Sequence, residues 1–331
     1  MPNPILVELT RGGTVESVHT GALAVCDSSG AIRSSIGDID RPIFPRSSIK
    51  AFQALPVLAT GTADRYGYGK KEIAFLCASH SGTDDHAALA ADMLARAGQS
   101  KDALACGAHD PMHTLSAKQL FKRGEQPSRL HNNCSGKHSG MVATCVQCGD
   151  DVSGYCDIHH PHQRRIARTL HDFTGFDVTR GPVGIDGCSA PNWAIPLRNL
   201  AHAFARLMTG DGLDTETARH ARAITDACMA EPFYVAGPDR LDTVAMTKFP
   251  GRVFMKTGAE AVYCGAFPES GLGFALKIDD GNGRASEAVM TALMQSHLRI
   301  TETFDRLGTF RNYAGIEVGE IRLTDAAKSA L

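Results

Sequence analysis

The chain has 331 residues, of which 43% are hydrophobic and 21% charged, with a formal net charge of −2. That composition belongs to a globular protein long enough to bury a sizeable core, and its near balance of charge speaks against nucleic acid or an anionic membrane surface as a partner. No basic segment followed by an apolar run opens the sequence, and no apolar stretch approaches the ~18 residues that span a bilayer, so a cytoplasmic location is expected. The ten cysteines are scattered, and in such a location they are expected as reduced thiols.

The N-terminal segments PILVEL and VESVHTGALAVC are apolar or β-branched and read as strands. DSSG, from Asp27 to Gly30, is a turn signal, and AIRSSIGDI can return as the partner strand. RPIFPRSS then stops the ladder with two prolines. From Ser47 the apolar residues Ile49, Phe52, Leu55 and Leu58 follow helical spacing, with Pro45 and the serine pair as its start.

Helical patterns fill the middle of the chain. KEIAFLCAS reads as a buried helix or short strand entering the loop SHSGTDD, and HAALAADMLARAG as an amphipathic helix stopped at Gly98. Further helices are expected at AKQLFKRG, GKHSGMVATCVQCG, HQRRIARTLHDFTG, WAIPLRNLAHAFARLMTG and RHARAITDACMAEP. Near the C-terminus, RVFMKTGAEAVYCGAFP and GLGFALKIDDG read as two strands around a turn at Glu269–Gly271. SEAVMTALMQSHLRI is a closing helix, and IEVGEIRL a last short strand. These segments predict an α+β fold with one antiparallel sheet drawn from both termini and flanked by helices. The sheet lobe is placed at roughly residues 1–60 and 240–331, with a mostly helical lobe inserted over roughly 61–239 of a single domain.

The chemistry starts at PRSSIK. Ser47 and Lys50 are three apart and share a helix face, whereas Ser48 and Lys50 do not. A neutral lysine beside a serine can take its proton, and the N–H groups at a helix start can support a developing oxyanion. Ser47 is therefore the better nucleophile candidate. Taken alone, S-x-x-K is better explained as a helix cap followed by a surface lysine. Here Lys256-Thr257-Gly258 follows on an expected late strand, and Ser79-His80-Ser81 lies between in the helical lobe. That order matches the three motifs of serine β-lactamases and penicillin-binding proteins, except that Ser81 stands where their middle motif has asparagine.

Two cysteine-centred loops, HNNCSGKHSG (His131 to Gly140) and GIDGCSAP (Gly184 to Pro191), complete the pattern. Generic zinc chemistry would pick Cys134, His138 and Cys188, with Asp186 as a fourth ligand; two buried thiols and a loop histidine explain the spacing equally well. Cys145 to Cys148 is a lone C-x-x-C and reads as structural, and the cluster His159, His160 and His162 reads as a helix start.

VELTRGG, PRSSIKAFQALP, CASHSG, HNNCSGKHSGM, GIDGCSAP, VAGPDRLDT and KTGAEAVYCGA, in that order, resemble the rhizobial-type L-asparaginases of the asparaginase II family. The resemblance runs from near the N-terminus to the final helix. It implies a serine-β-lactamase-like fold, a homodimer, and hydrolysis of L-asparagine to L-aspartate and ammonia. It also implies two serine–lysine tandems, Ser47 with Lys50 and Ser79 with Lys256. It further implies a zinc ion held by Cys134, Lys137 and Cys188, so that lysine replaces His138.

Asparagine is a small zwitterion whose two charges want opposite partners. Arg46 is the candidate for its carboxylate, and Asp186 for its ammonium or for orienting the zinc site. His80 and Gly258 complete the substrate-binding set, while Arg240 and Asp242 read equally well as a structural loop pair. Two other functions fit parts of the pattern. One is a different cytoplasmic serine amidase on the same scaffold, and the other is a zinc-binding module without turnover.

Overall fold

The computed structural model describes residues 2–331. One eight-stranded antiparallel sheet runs in the order Gly308–Arg311, Glu317–Leu323, Ile5–Arg11, Thr14–Cys26, Leu272–Ile278, Val262–Phe267, Phe254–Gly258, with Ile32–Ile36 also pairing Thr14–Cys26. Every strand of this sheet thus comes from one end of the chain or the other, which is the expected α+β architecture. Thr14–Cys26 joins the two contributions. Its first half pairs Ile5–Arg11, and its second half pairs Leu272–Ile278 on one side and Ile32–Ile36 on the other.

The three strands at the Phe254 edge are buried along nearly their whole length. Covered on both faces, they read as continuous apolar runs without a period of two. Gly273 faces the helix Leu197–Thr209 so closely that a Cβ there would lie 2.1 Å from the Ala201 carbonyl oxygen. Its neighbour Phe274 faces the opposite side, where it packs on Phe267, which in turn stacks on His297 of the helix Gly283–Leu298. The molecule is therefore helix, sheet, helix in layers.

RVFMKTGAEAVYCGAFP is two strands, not one. It folds back at residues 259–261, where Glu260 and Ala261 both have positive φ, 59° and 55°. Neither is a glycine or asparagine, so the turn carries no residue-type signal. The edge strand Gly308–Arg311 and the last helix Asp325–Ser329 are also absent from the sequence reading. The expected helices are present and KEIAFLCAS resolves as the helix Lys70–Leu76, but WAIP is extended: Trp193 and Ile195–Pro196 lie in short strands, and that helix starts only at Leu197, after Pro196. His160 caps the helix Pro161–Thr174 by accepting from the His162 N–H, so the histidine cluster is a helix start. Among the described residues, no helix is long and apolar enough to cross a membrane.

Candidate active site

Arg46–Ile49 form one 3-10 turn that continues into the helix Lys50–Ala59. Arg46 has a positive φ of 53°, a strained position immediately before Ser47. Ser47 is half-buried, while Ser48 is buried and spends its hydroxyl on the Pro45 carbonyl at 2.7 Å. The 3-10 turn packs against the strand Phe254–Gly258. Gly258 permits that contact, because a Cβ there would lie 2.5 Å from the Pro45 oxygen and 3.2 Å from the Ser48 nitrogen. Gly258→Ala is expected to push strand and turn apart, at about 1–3 kcal/mol of stability, with loss of turnover; chemical denaturation and an activity assay check this.

Lys50 reaches away from Ser47. Its Nζ donates to the Ala78 carbonyl, to Ser79 Oγ at 3.1 Å and to Cys134 Sγ at 3.1 Å. All three N–H donors of the ammonium group thus have acceptors, and among the described residues the Lys50 side chain forms no hydrogen bond with Ser47, which receives only the Lys50 backbone N–H on its carbonyl. Lys256, fully buried on the strand, places its Nζ 2.8 Å from the same Ser79 Oγ and 2.7 Å from the Thr257 carbonyl oxygen. Ser79 is held in turn by its backbone N–H on the Val235 carbonyl at 2.8 Å. One hydroxyl therefore lies between two buried amines, and the two lysines meet on Ser79 instead of forming separate tandems.

Burial disfavours the charged form of Lys256 and is the chief reason its pKa falls to about 7; Lys50 and Arg240 push it the same way, while Asp242 opposes them. Asp242 is itself fully buried. It accepts from the Thr257 N–H at 2.7 Å and from the Tyr263 hydroxyl at 3.1 Å, so it fixes the strand on which Lys256 sits.

The zinc candidates lie beside this group. Cys134 caps the helix Ser135–Cys148, which carries Lys137. Cys188 sits on the tip of a short ribbon, Val183–Ile185 paired with Pro191–Trp193, closed by a bond from the Asp186 N–H to the Ala190 carbonyl at 2.9 Å. Lys137 Nζ lies 3.1 Å from Cys188 Sγ. Cys188 is lowered to about 4, chiefly by a hydrogen bond from Cys134, and Cys134 is raised to about 12 by the same bond. Burial alone would lower Lys137, but the attraction of Cys188 and Cys134 outweighs it and its pKa is raised.

Two sulfurs and one amine thus converge in a buried space, a soft donor set of the kind zinc takes. Among the described residues, no group of three or more His, Cys, Asp or Glu is arranged to hold a metal, so the generic set of Cys134, His138, Cys188 and Asp186 does not assemble. His138 turns elsewhere, with Nδ1 2.6 Å from the Tyr155 hydroxyl.

Arg46 and Asp186 face each other. Arg46 Nε donates to one Asp186 oxygen at 3.2 Å and Nη2 to the other at 3.1 Å. Burial would raise the Asp186 carboxyl, but these bonds and the Lys137 charge hold it below its ordinary value. His80 is fully buried, with Nε2 2.9 Å from Ser135 Oγ and Nδ1 accepting from the Gly82 N–H at 3.0 Å. Burial is the main cause of its strongly lowered pKa; Nδ1 braces the loop that carries Ser79, and Nε2 ties that loop to the start of the helix Ser135–Cys148. A cleft of about 470 Å³ opens beside this set, with Arg41, Arg46, Asn192, Glu260 and Lys277 on its polar side.

Reading the sequence by pairs misses the link from Lys50 through Cys134, which joins the serine–lysine group to the cysteine group. It also leaves Asp242 as a loop residue; an acidic residue in a short loop-to-helix motif is a weak signal, and only packing reveals what it holds.

Residues 7–323 match the model of the family described as L-asparaginase II. No curated protein matches the chain. Among solved structures, the chain is similar to Mglu in its native form at 13% identity and a TM-score of 0.47, over 85% of this chain and 65% of that one. A β-lactamase from Mycobacterium bovis is similar at 12% identity and a TM-score of 0.41, over 80% and 89% of the two chains. A Bacillus glutaminase is similar at 11% identity and a TM-score of 0.35, over 84% and 91%.

Proposed function

From the premise that the chain belongs to the L-asparaginase II family, we propose that it hydrolyses L-asparagine to L-aspartate and ammonia through an acyl-enzyme. The observation that carries this reading is Ser79 Oγ, held between Lys50 Nζ at 3.1 Å and Lys256 Nζ at 2.8 Å. A hydroxyl that donates to one amine and accepts from another passes protons between them. Ser47, half-buried at the helix start beside the cleft, attacks the side-chain amide carbon as its proton passes by way of Ser79 to the neutral Lys256 amine. Its hydrogen bond to the lysine group is of the kind that often forms only in the substrate complex. The C–N bond breaks as Lys256, through Ser79, returns a proton to the leaving nitrogen, which departs as ammonia. Water then cleaves the acyl ester and restores Ser47. Arg46, anchored by Asp186, receives the α-carboxylate.

Cys134, Lys137 and Cys188 would hold zinc, and the metal when bound supplies a Lewis acid next to the substrate site. Cys188→Ser is expected to lower bound zinc from about one equivalent to near none, measured by elemental mass spectrometry on the purified protein. We further propose a homodimer, for which Ile185, 86% exposed at the cleft rim, offers apolar surface; sedimentation reads the assembly state.

The deciding test is ammonia release from L-asparagine, with L-glutamine and a chromogenic β-lactam alongside. Turnover of L-asparagine well above the other two supports the reading. Protein that contains zinc and leaves L-asparagine intact refutes it.

A further inference from the structure

The cleft beside Ser47 holds three cations and one carboxylate. Each cation is engaged. Arg41 pairs with Asp279 at 2.6 Å, Arg46 with Asp186, and Lys277 Nζ donates to the backbone carbonyls of Glu260 and Ile278, each at 2.6 Å. The carboxylate is Glu260, and among the described residues it forms no hydrogen bond or ion pair.

Glu260 sits in a demanding place. Its φ of 59° is the left-handed region, and Ala261 after it, at 55°, is the same. Each such residue costs about 1–2 kcal/mol where glycine or asparagine would cost less. Glycine is found instead on the opposite side of the turn. A Cβ at Gly281 would lie 2.6 Å from Glu260 Oε2, so that glycine leaves room for the carboxylate. The turn is pinned from below by Lys277. It is only two residues beyond Gly258, whose backbone lies against Pro45, the residue before Arg46. Glu260 and Arg46 consequently line the same cleft and attract one another. A strained, well-supported acidic residue without a partner beside a reactive centre points to a ligand cation.

An α-amino acid presents its two charges on one carbon. Arg46 binds Asp186 through Nε and Nη2, which leaves Nη1 for a carboxylate. Both oxygens of Asp186 are occupied by that same guanidinium, so Asp186 acts on the substrate through Arg46. We infer that Glu260 recognises the α-ammonium group of the substrate and so makes the site specific for amides of free amino acids over the same amides without an α-amino group. This rests on the amidohydrolase reading above.

The test compares L-asparagine with 3-carbamoylpropanoate, which differs only by the missing α-ammonium, on wild type and Glu260→Gln. The variant is expected to raise KM for L-asparagine about 10- to 100-fold, the range for losing one charged hydrogen-bonding partner. It should leave kcat within about threefold and the KM for 3-carbamoylpropanoate unchanged. Glu260→Gly separates function from folding: glycine relieves the positive φ, so Tm should hold while the preference for L-asparagine is lost.

Equal effects on both compounds, or none on either, overturn the inference while leaving the amidohydrolase intact. A wild-type enzyme inert toward L-asparagine defeats the proposed function instead. The inference is then decided by calorimetric titration of both compounds into wild type and Glu260→Gln. A loss of binding confined to L-asparagine supports it, and equal binding overturns it.

Discussion

Ser79→Ala is expected to lower kcat on L-asparagine by at least about 10³-fold, in the range for loss of a positioned proton-transfer group or more. Tm should move by no more than a few degrees. The variant removes one oxygen from a loop whose backbone bonds remain, among them the Ser79 N–H to Val235 and the His80 N–H to Asn133. Lys256 keeps the Thr257 carbonyl, and Lys50 keeps Ala78 and Cys134, so neither buried amine is left without an acceptor. Zinc content should be unchanged, since the oxygen bonds only the two lysines.

Ser47→Ala is expected to be as severe, and the double variant no worse than the worse single one. Groups that act as one unit are not additive. Peptide mapping after an acid quench should find the acyl group on Ser47; finding it on Ser79 would exchange the roles of the two hydroxyls. Turnover within tenfold of wild type in Ser79→Ala would sink the proton-relay account.

Much of this arrangement is legible before folding because it is local. Pro45, the serine pair and the apolar spacing from Ile49 to Leu58 mark a helix start, and the structure puts one there. The three motifs in order place Lys50, Ser79 and Lys256 near one another. What the sequence hides is how they pair. An i, i+3 relation assigns Lys50 to Ser47, but a lysine side chain is long enough to choose among tertiary acceptors, and three of them lie at Ala78, Ser79 and Cys134.

The turn at Glu260 and Ala261 is hidden for a different reason. Turn chemistry is read from glycine, proline, asparagine and aspartate, and here the backbone takes the left-handed region with none of them. Asp242 is hidden because a buried carboxylate in a polar motif looks like any loop acid until its two partners, Thr257 and Tyr263, are packed around it. The missed turn lies at the cleft, where local preference and final structure disagree.

The strongest dependence on pH should come from Lys256. With a pKa lowered to about 7, it is neutral above that value and able to take a proton from Ser79. Below it the amine is charged, and kcat/KM should fall about tenfold per pH unit on the acid limb. The stability linkage has the same direction. The unfolded chain returns this lysine to its ordinary 10.5, so between about 7 and 10.5 the unfolded state binds a proton that the folded state does not. The contribution of this group to stability therefore rises with pH across that window.

Lys256→Arg keeps the charge at every accessible pH and cannot act as a base. It should lose at least about 10³-fold in kcat/KM and unfold more readily, because a larger fixed charge is buried in its place. Lys256→Met should be equally inactive but no less stable, which separates loss of the base from loss of the fold. Asp242→Asn retains an oxygen for the Thr257 N–H and removes only the charge that opposes neutralisation of Lys256. Its acid limb should therefore move to lower pH. A limb that stays in place in Asp242→Asn, or that survives in Lys256→Met, would show that the titrating base lies elsewhere.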